Sequence, residues 1–297
     1  MDRPGQLHAL SSLAEPDVAV ITMIGEAHIE FFKTRAKIAD AKMEITDGLK
    51  EDGTFIFNGD EPLLVSRAKQ VTQSQETFGL HPENTLFAHS ISGHRNHTEF
   101  TVEQWPELTF SIPIMGEYNV VNALAALLVG RRFHVKPEAM QKALAHFQVT
   151  ANRTQWLIGD VGEQILSDVY NANPTAMKAV IHDFSEFQTA GRHIAVLGDM
   201  LELGEQSRAL HAGLADALDP HEIQEVYLYG SEMQALAEAL TTKYPQDQVH
   251  YYPLDAKSTM IRDLQNDVGH DDMVLLKASH GLHLETVLAA LVAGGHA

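Results

Sequence analysis

From Asn152 onward, short apolar runs and helical patterns take turns, and this alternation constrains the fold more than any other feature. Strands are expected at Gln164–Tyr170, His193–Leu197, Glu225–Tyr229, His250–Tyr252 and Met273–Lys277, with helices beginning near Pro174, Gln206, Ser231, Ala256 and His283. Two parallel neighbours need a crossover between them, so repeated strand–helix units imply a parallel, doubly wound sheet. Ligands of such sheets sit beyond the carboxyl ends of the strands.

The first half has a different rhythm. DVAVITMIG (Asp17–Gly25) is a near-continuous apolar run, as expected of a strand buried on both faces. Thr34 can cap a helix running to about Leu49, and a strand FIF follows at Phe55–Phe57. Residues from about Thr72 to Pro113 suggest β-hairpins, followed by helices at Tyr118–Val129 and from Pro137 to near Phe147. The change of rhythm near Thr150 sets the expected domains, 1–149 and 150–297.

Composition excludes several classes. The net charge of −19 leaves no basic surface to displace counterions from a nucleic acid. The absence of cysteine removes disulfides and thiolate metal sites. Apolar stretches such as VVNALAALLVG are too short to span a bilayer, and MDRPGQLHAL is not a secretory signal. The expectation is a cytoplasmic monomer without stable membrane insertion.

Several clusters could carry chemistry. Lys42 falls within the helical stripe Ile38, Ala41, Ile45 and Leu49, so its amine is either snorkelling to water or partly desolvated. A neutral amine can add carbon dioxide to become a carbamate. His28 follows the first strand in GEAHIE, where an imidazole could ligate a metal or simply face solvent. Asn119 and Asn122 share a helix face with Ala123 and Ala126, which suits a flat heterocycle and equally suits tying down a helix start. In DVYNANPTAMKA, Asn173 and Pro174 are explained as cap and first helical residue, whereas Asp168, Tyr170 and Asn171 are not. Asp199 and Glu202 in LGDMLELG follow the next strand, and Lys277, Ser279 and His280 follow the last. Three such clusters on one sheet edge suggest a binding site.

Together these segments resemble the Mur ligases over nearly the whole chain, and within them the branch that adds D-alanyl-D-alanine. The resemblance rests on His28 in GEAHIE, Lys42 in AKMEI, Asn119 and Asn122 in GEYNVVNALAA, Arg153 in NRTQW, and the pair DVYNANP and LGDMLELG. It implies a partial Mur ligase central domain followed by a Rossmann-like, mostly parallel α/β domain. It implies ATP and Mg2+ as cofactors, with UDP-N-acetylmuramoyl-tripeptide and D-alanyl-D-alanine as substrates. The carried-over roles are His28 and carbamylated Lys42 at magnesium, Asn119 and Asn122 at adenine, Asp168 at ribose and Arg153 at the phosphates. Tyr170, Asn171, Asn173 and the Asp199 loop would line the dipeptide side. The family's phosphate loop is absent from these 297 residues, so the chain is expected to begin inside the central domain and to be inactive alone. Two departures stand out: Tyr118 replaces a common histidine, and KASHGLHLE replaces a K-G-S-R type ending. Rival expectations are a folylpolyglutamate synthase-like ligase and a non-catalytic nucleotide-binding module.

Overall fold

The structure, a computed structural model, describes residues 1–148 and 154–292. The chain divides into two compact units, Met1–Gln148 and Val149–Ala297.

The first unit contains α1 (Gln6–Ala14), β1 (Val18–Ile21), α2 (Ile29–Phe32), α3 (Arg35–Met43), β2 (Thr54–Asn58), α4 (Pro62–Ala68) and β3 (Ser74–Gly79). It continues with β4 (Leu86–Gly93), β5 (Thr98–Val102), β6 (Trp105–Ile112), α5 (Glu117–Arg132) and α6 (Pro137–Ala145). Its six strands lie in the order β1-β2-β3-β4-β5-β6. Pairing is parallel from β1 to β4 and antiparallel from β4 to β6. The segment read as hairpins therefore only partly forms them: β3 joins the parallel sheet because α4 supplies the crossover from β2. Pro62 opens α4, and Glu61 accepts the Leu63 N–H at its start. Helix α5 buries Val120, Leu124, Leu127 and Leu128 against β2, β3 and β4, the apolar spacing of one helix face.

Helix α3 starts where Thr34 caps the Lys37 N–H, but it ends at Met43 rather than near Leu49. A 3-10 turn, Glu44–Thr46, replaces its last turn. The reason lies in α1, where the Ser11 hydroxyl donates to Glu44 O at 2.9 Å and takes a carbonyl that the α-helix would have used.

The second unit contains β7 (Gln155–Ile158), β8 (Gln164–Asp168), α7 (Pro174–Ser185), β9 (His193–Gly198), α8 (Ser207–Ala212) and β10 (Glu225–Tyr229). It ends with α9 (Gln234–Leu240), β11 (Val249–Tyr252), α10 (Lys257–Asp267), β12 (Met273–Lys277) and α11 (Glu285–Val292). The sheet order is β11-β10-β9-β12-β8-β7. All its strands run parallel except β7, an antiparallel edge that the sequence pattern did not disclose. Every residue of β9 and β12 is buried, as their unbroken apolar runs require. β10 and β11 lie to one side of β9, with β12 and β8 on the other. No helix among the described residues is long and apolar enough to cross a membrane.

Candidate functional site

In the second unit, β8 and β12 pair so that Asp168 and Lys277 stand in register. Lys277 is 1% exposed, and its ammonium donates to Asp168 Oδ2 at 2.5 Å and to Asn171 O at 3.0 Å. The other Asp168 oxygen accepts the Thr154 N–H at 3.3 Å. One buried cation thus ties the end of β8 to the turn after it. Tyr170 is exposed beside the His280 ring, 5.9 Å between centroids, and the Asn171 side chain is also at the surface. Asn173 differs: its side-chain oxygen accepts the Ala176 N–H at 2.9 Å and caps α7.

The loop after β9 lines a cleft of about 440 Å³ together with Ser207, Ser231, Glu232, Leu254 and Gly281. Asp199 is 3% exposed, and its carboxylate turns inward. It accepts N–H groups from Glu232 and Met233, 3.1 and 2.9 Å from Oδ1, just ahead of α9. Burial pushes its carboxyl up, while those N–H groups oppose the shift. Asp199 lies in the wall of the cleft, and its carboxylate also braces the start of the next helix by accepting these two N–H groups. Gly230 is needed here, since its φ is 125° and a Cβ would fall on that carboxylate.

In the first unit, Lys42 is half-buried on α3 and donates from Nζ to Met23 O at 2.7 Å. Burial holds its ammonium below the usual lysine value. His28 sits just before α2 in the left-handed region, with φ 62°. Among the described residues, no group of three His, Asp or Glu side chains stands ready to hold a metal ion. An ammonium offers no lone pair, so Lys42 could ligate magnesium only after conversion to a carbamate. On α5, Asn119 Nδ2 donates to Met115 O at 2.7 Å, which ties down the helix start, while Asn122 is exposed beside exposed Ala126. Arg153 lies outside the described residues.

Arg35 was not singled out from the sequence. Its guanidinium donates to Ile24 O at 2.8 Å and to Glu61 Oε2 at 2.6 Å, joining α3 to the loop after β1 and to the start of α4. Arg35 and Lys42 are two helical turns apart, so one face of α3 grips carbonyls of successive loop residues, Ile24 and Met23. The seven-residue spacing of two cations was the available signal. Ser279 was picked out with the end of the last strand, whereas His211, which also holds the loop after β9, carried no comparable signal.

Residues 1–130 match the Mur ligase middle domain, and residues 152–280 match the Mur ligase glutamate ligase domain. A UDP-N-acetylmuramoyl-tripeptide–D-alanyl-D-alanine ligase from Bacillus subtilis is 38% identical over 98% of this chain and 63% of its own length. The structure of MurF from Acinetobacter baumannii superposes with a TM-score of 0.86 at 25% identity, covering 98% of this chain and 63% of that one. MurF ligase from Thermotoga maritima, in complex with ADP, gives 0.83 at 27% identity, covering 99% and 65%. The chain therefore spans a little under two thirds of the relatives it matches.

Proposed function

Because this chain belongs to the Mur ligase family, we propose that it carries the middle and terminal parts of an enzyme joining D-alanyl-D-alanine to UDP-N-acetylmuramoyl-tripeptide. The observation that carries this reading is the convergence of DVYNANP, LGDMLELG and the end of β12 at one sheet edge, beside a cleft.

The reaction has two steps. The tripeptide's terminal carboxylate attacks the γ-phosphorus of ATP, releasing ADP and forming an acyl phosphate. The dipeptide's amine then attacks the acyl carbon, phosphate leaves with the C–O bonding pair, and the amine gives up a proton. Phosphorylation is needed because a bare carboxylate oxygen is a poor leaving group. Magnesium bound to ATP would supply positive charge that eases the approach of two anions.

Asn122 and Asn119 are assigned to adenine, Asp168 to ribose and Arg153 to the phosphates. Lys277 keeps Asp168 oriented. Tyr170 and Asn171 flank the dipeptide side, where Glu202 and Glu232 would favour an ammonium. His28 and Lys42, the latter as a carbamate, are assigned to the metal side. Asn173 acts through the cap of α7.

A chimera tests the reading: this chain replaces the matching part of the Bacillus subtilis relative, and the product is followed with ATP, the UDP-tripeptide and D-alanyl-D-alanine. ATP-dependent pentapeptide is expected. A folded chimera that accepts glutamate instead of the dipeptide would favour the folylpolyglutamate type. One that binds ATP and turns over neither would leave a nucleotide-binding module.

A further inference from the structure

A wholly buried histidine stands behind the loop that walls the cleft. His211, on α8, has no exposed surface. Its Nδ1 lies 2.8 Å from Ser207 O, one turn earlier on the same helix, and its Nε2 lies 2.9 Å from the backbone nitrogen of Met200. A carbonyl only accepts, so Nδ1 carries the proton. A backbone N–H only donates, so Nε2 presents its lone pair. These partners hold the ring as the neutral Nδ1–H tautomer, with both nitrogens in use.

The Met200 N–H needs such a partner because the chain has just left its sheet. The Asp199 N–H goes to Tyr229 O at 3.1 Å, the Met200 N–H to His211, and the Leu201 N–H to Ser279 Oγ at 2.9 Å. Three successive loop amides are thus held by β10, by α8 and by the segment after β12. As a result, Met200 and Leu203 point inward, 1% and 3% exposed, while Leu201 and Glu202 stand at the surface of the cleft. Glu202 has φ 62°, a conformation costly for a residue with a Cβ. It persists because the loop is fixed on both sides. Packing alone does not call for histidine at 211, since a phenylalanine would fill the same space. What imidazole adds is an acceptor at the far end of the side chain, whose own donor is satisfied within the helix.

We propose that His211 is a positioning residue. Its Nε2 fixes the Met200 N–H and thereby sets the wall of the cleft that seats the incoming zwitterionic dipeptide. The identity of the occupant rests on the function proposed above, whereas the latch does not.

Three variants of the 297-residue chain separate the roles. His211→Gln places an amide oxygen where Nε2 was, His211→Asn reaches only as far as Nδ1, and His211→Phe keeps shape alone. Amide hydrogen exchange is followed at Met200 to Leu203, and D-alanyl-D-alanine is titrated while the Leu201, Glu202 and Gly281 amides are watched by NMR. His211→Gln is expected to stay within about twofold of the parent in both measurements. His211→Asn and His211→Phe are expected to exchange Met200 about tenfold faster and to weaken the dipeptide similarly. Ring nitrogen shifts should show a protonated Nδ1 and a bare Nε2. An Nε2–H tautomer, or equal behaviour of the Gln and Asn variants, would overturn the proposal. If exchange follows the expected order but the dipeptide leaves the parental cleft unperturbed, the latch stands and the dipeptide reading of the cleft fails.

Discussion

Lys277 Nζ lies 2.5 Å from Asp168 Oδ2 across two parallel strands that hold the residues in register, and both side chains are almost wholly buried. Such a pair is poor evidence for net stability, because desolvation cancels much of the attraction. Its value here is placement: the same ammonium also holds Asn171 O. Lys277→Met should leave the Asp168 charge without its cation and cost about 3–5 kcal/mol in urea unfolding. Lys277→Met with Asp168→Asn should recover at least half of that loss. Purely additive losses would mean that the pair is not coupled.

Asp272 offers a pH-dependent test. Burial pushes its carboxyl up, but the Arg192 guanidinium and the Arg192 and Gly269 N–H groups outweigh this and hold it below its ordinary value of 3.8. A lowered carboxyl means that the unfolded chain binds more protons, so this contribution is present above 3.8 and is lost as pH falls through the folded value. Asp272→Asn should cost roughly 2–4 kcal/mol at neutral pH, with the gap from the parent narrowing in acid. A gap that stayed constant would dissociate the stability from ionisation.

The brace at Asp199 can be broken from either side. Gly230→Ala should destabilise by about 2–4 kcal/mol, from its positive φ and from the clash of its Cβ with the carboxylate. Asp199→Ala removes the acceptor ahead of α9 and should cost roughly 1–3 kcal/mol. Together they should cost less than the sum, since the clash disappears with the side chain. Calorimetric melting of the three variants checks this order.

Lys42 should react with carbon dioxide more readily than an exposed lysine such as Lys69. Burial lowers its pKa and so raises the neutral fraction at a given pH. With ¹³C-bicarbonate, a carbamate resonance is expected that is lost in Lys42→Arg, while the melting temperature stays close to the parent's. In the chimera, the arginine variant should lose ligation. A carbamate signal persisting without Lys42, or near-parental turnover of Lys42→Arg, would remove it from this role.

The alternation of unbroken apolar runs with helical stripes was enough to place β8 to β12 in a parallel sheet, because strands buried on both faces need nothing but apolar residues. Asn173 was legible for the same local reason, since a cap and its helix are adjacent in sequence. Lys42 was legible as a cation on a partly apolar helix and Asp168 as a strand-end residue, whereas the first strand stops at Ile21, short of the expected Gly25, and leaves His28 at the start of α2. The tertiary structure decided matters that depend on partners far along the chain. α3 stops early because Ser11 takes the Glu44 carbonyl, and β3 joins the parallel sheet because α4 carries the chain over. Asp199 reads from the sequence only as a residue after a strand; that its carboxylate braces Glu232 and Met233 through their N–H groups appears only in the fold. Lys277 and His211 found their roles in the same way, through Asp168 and Met200. Sequence spacing determines which face a residue occupies; which polar groups meet on that face is set by strand order, and only folding supplies it.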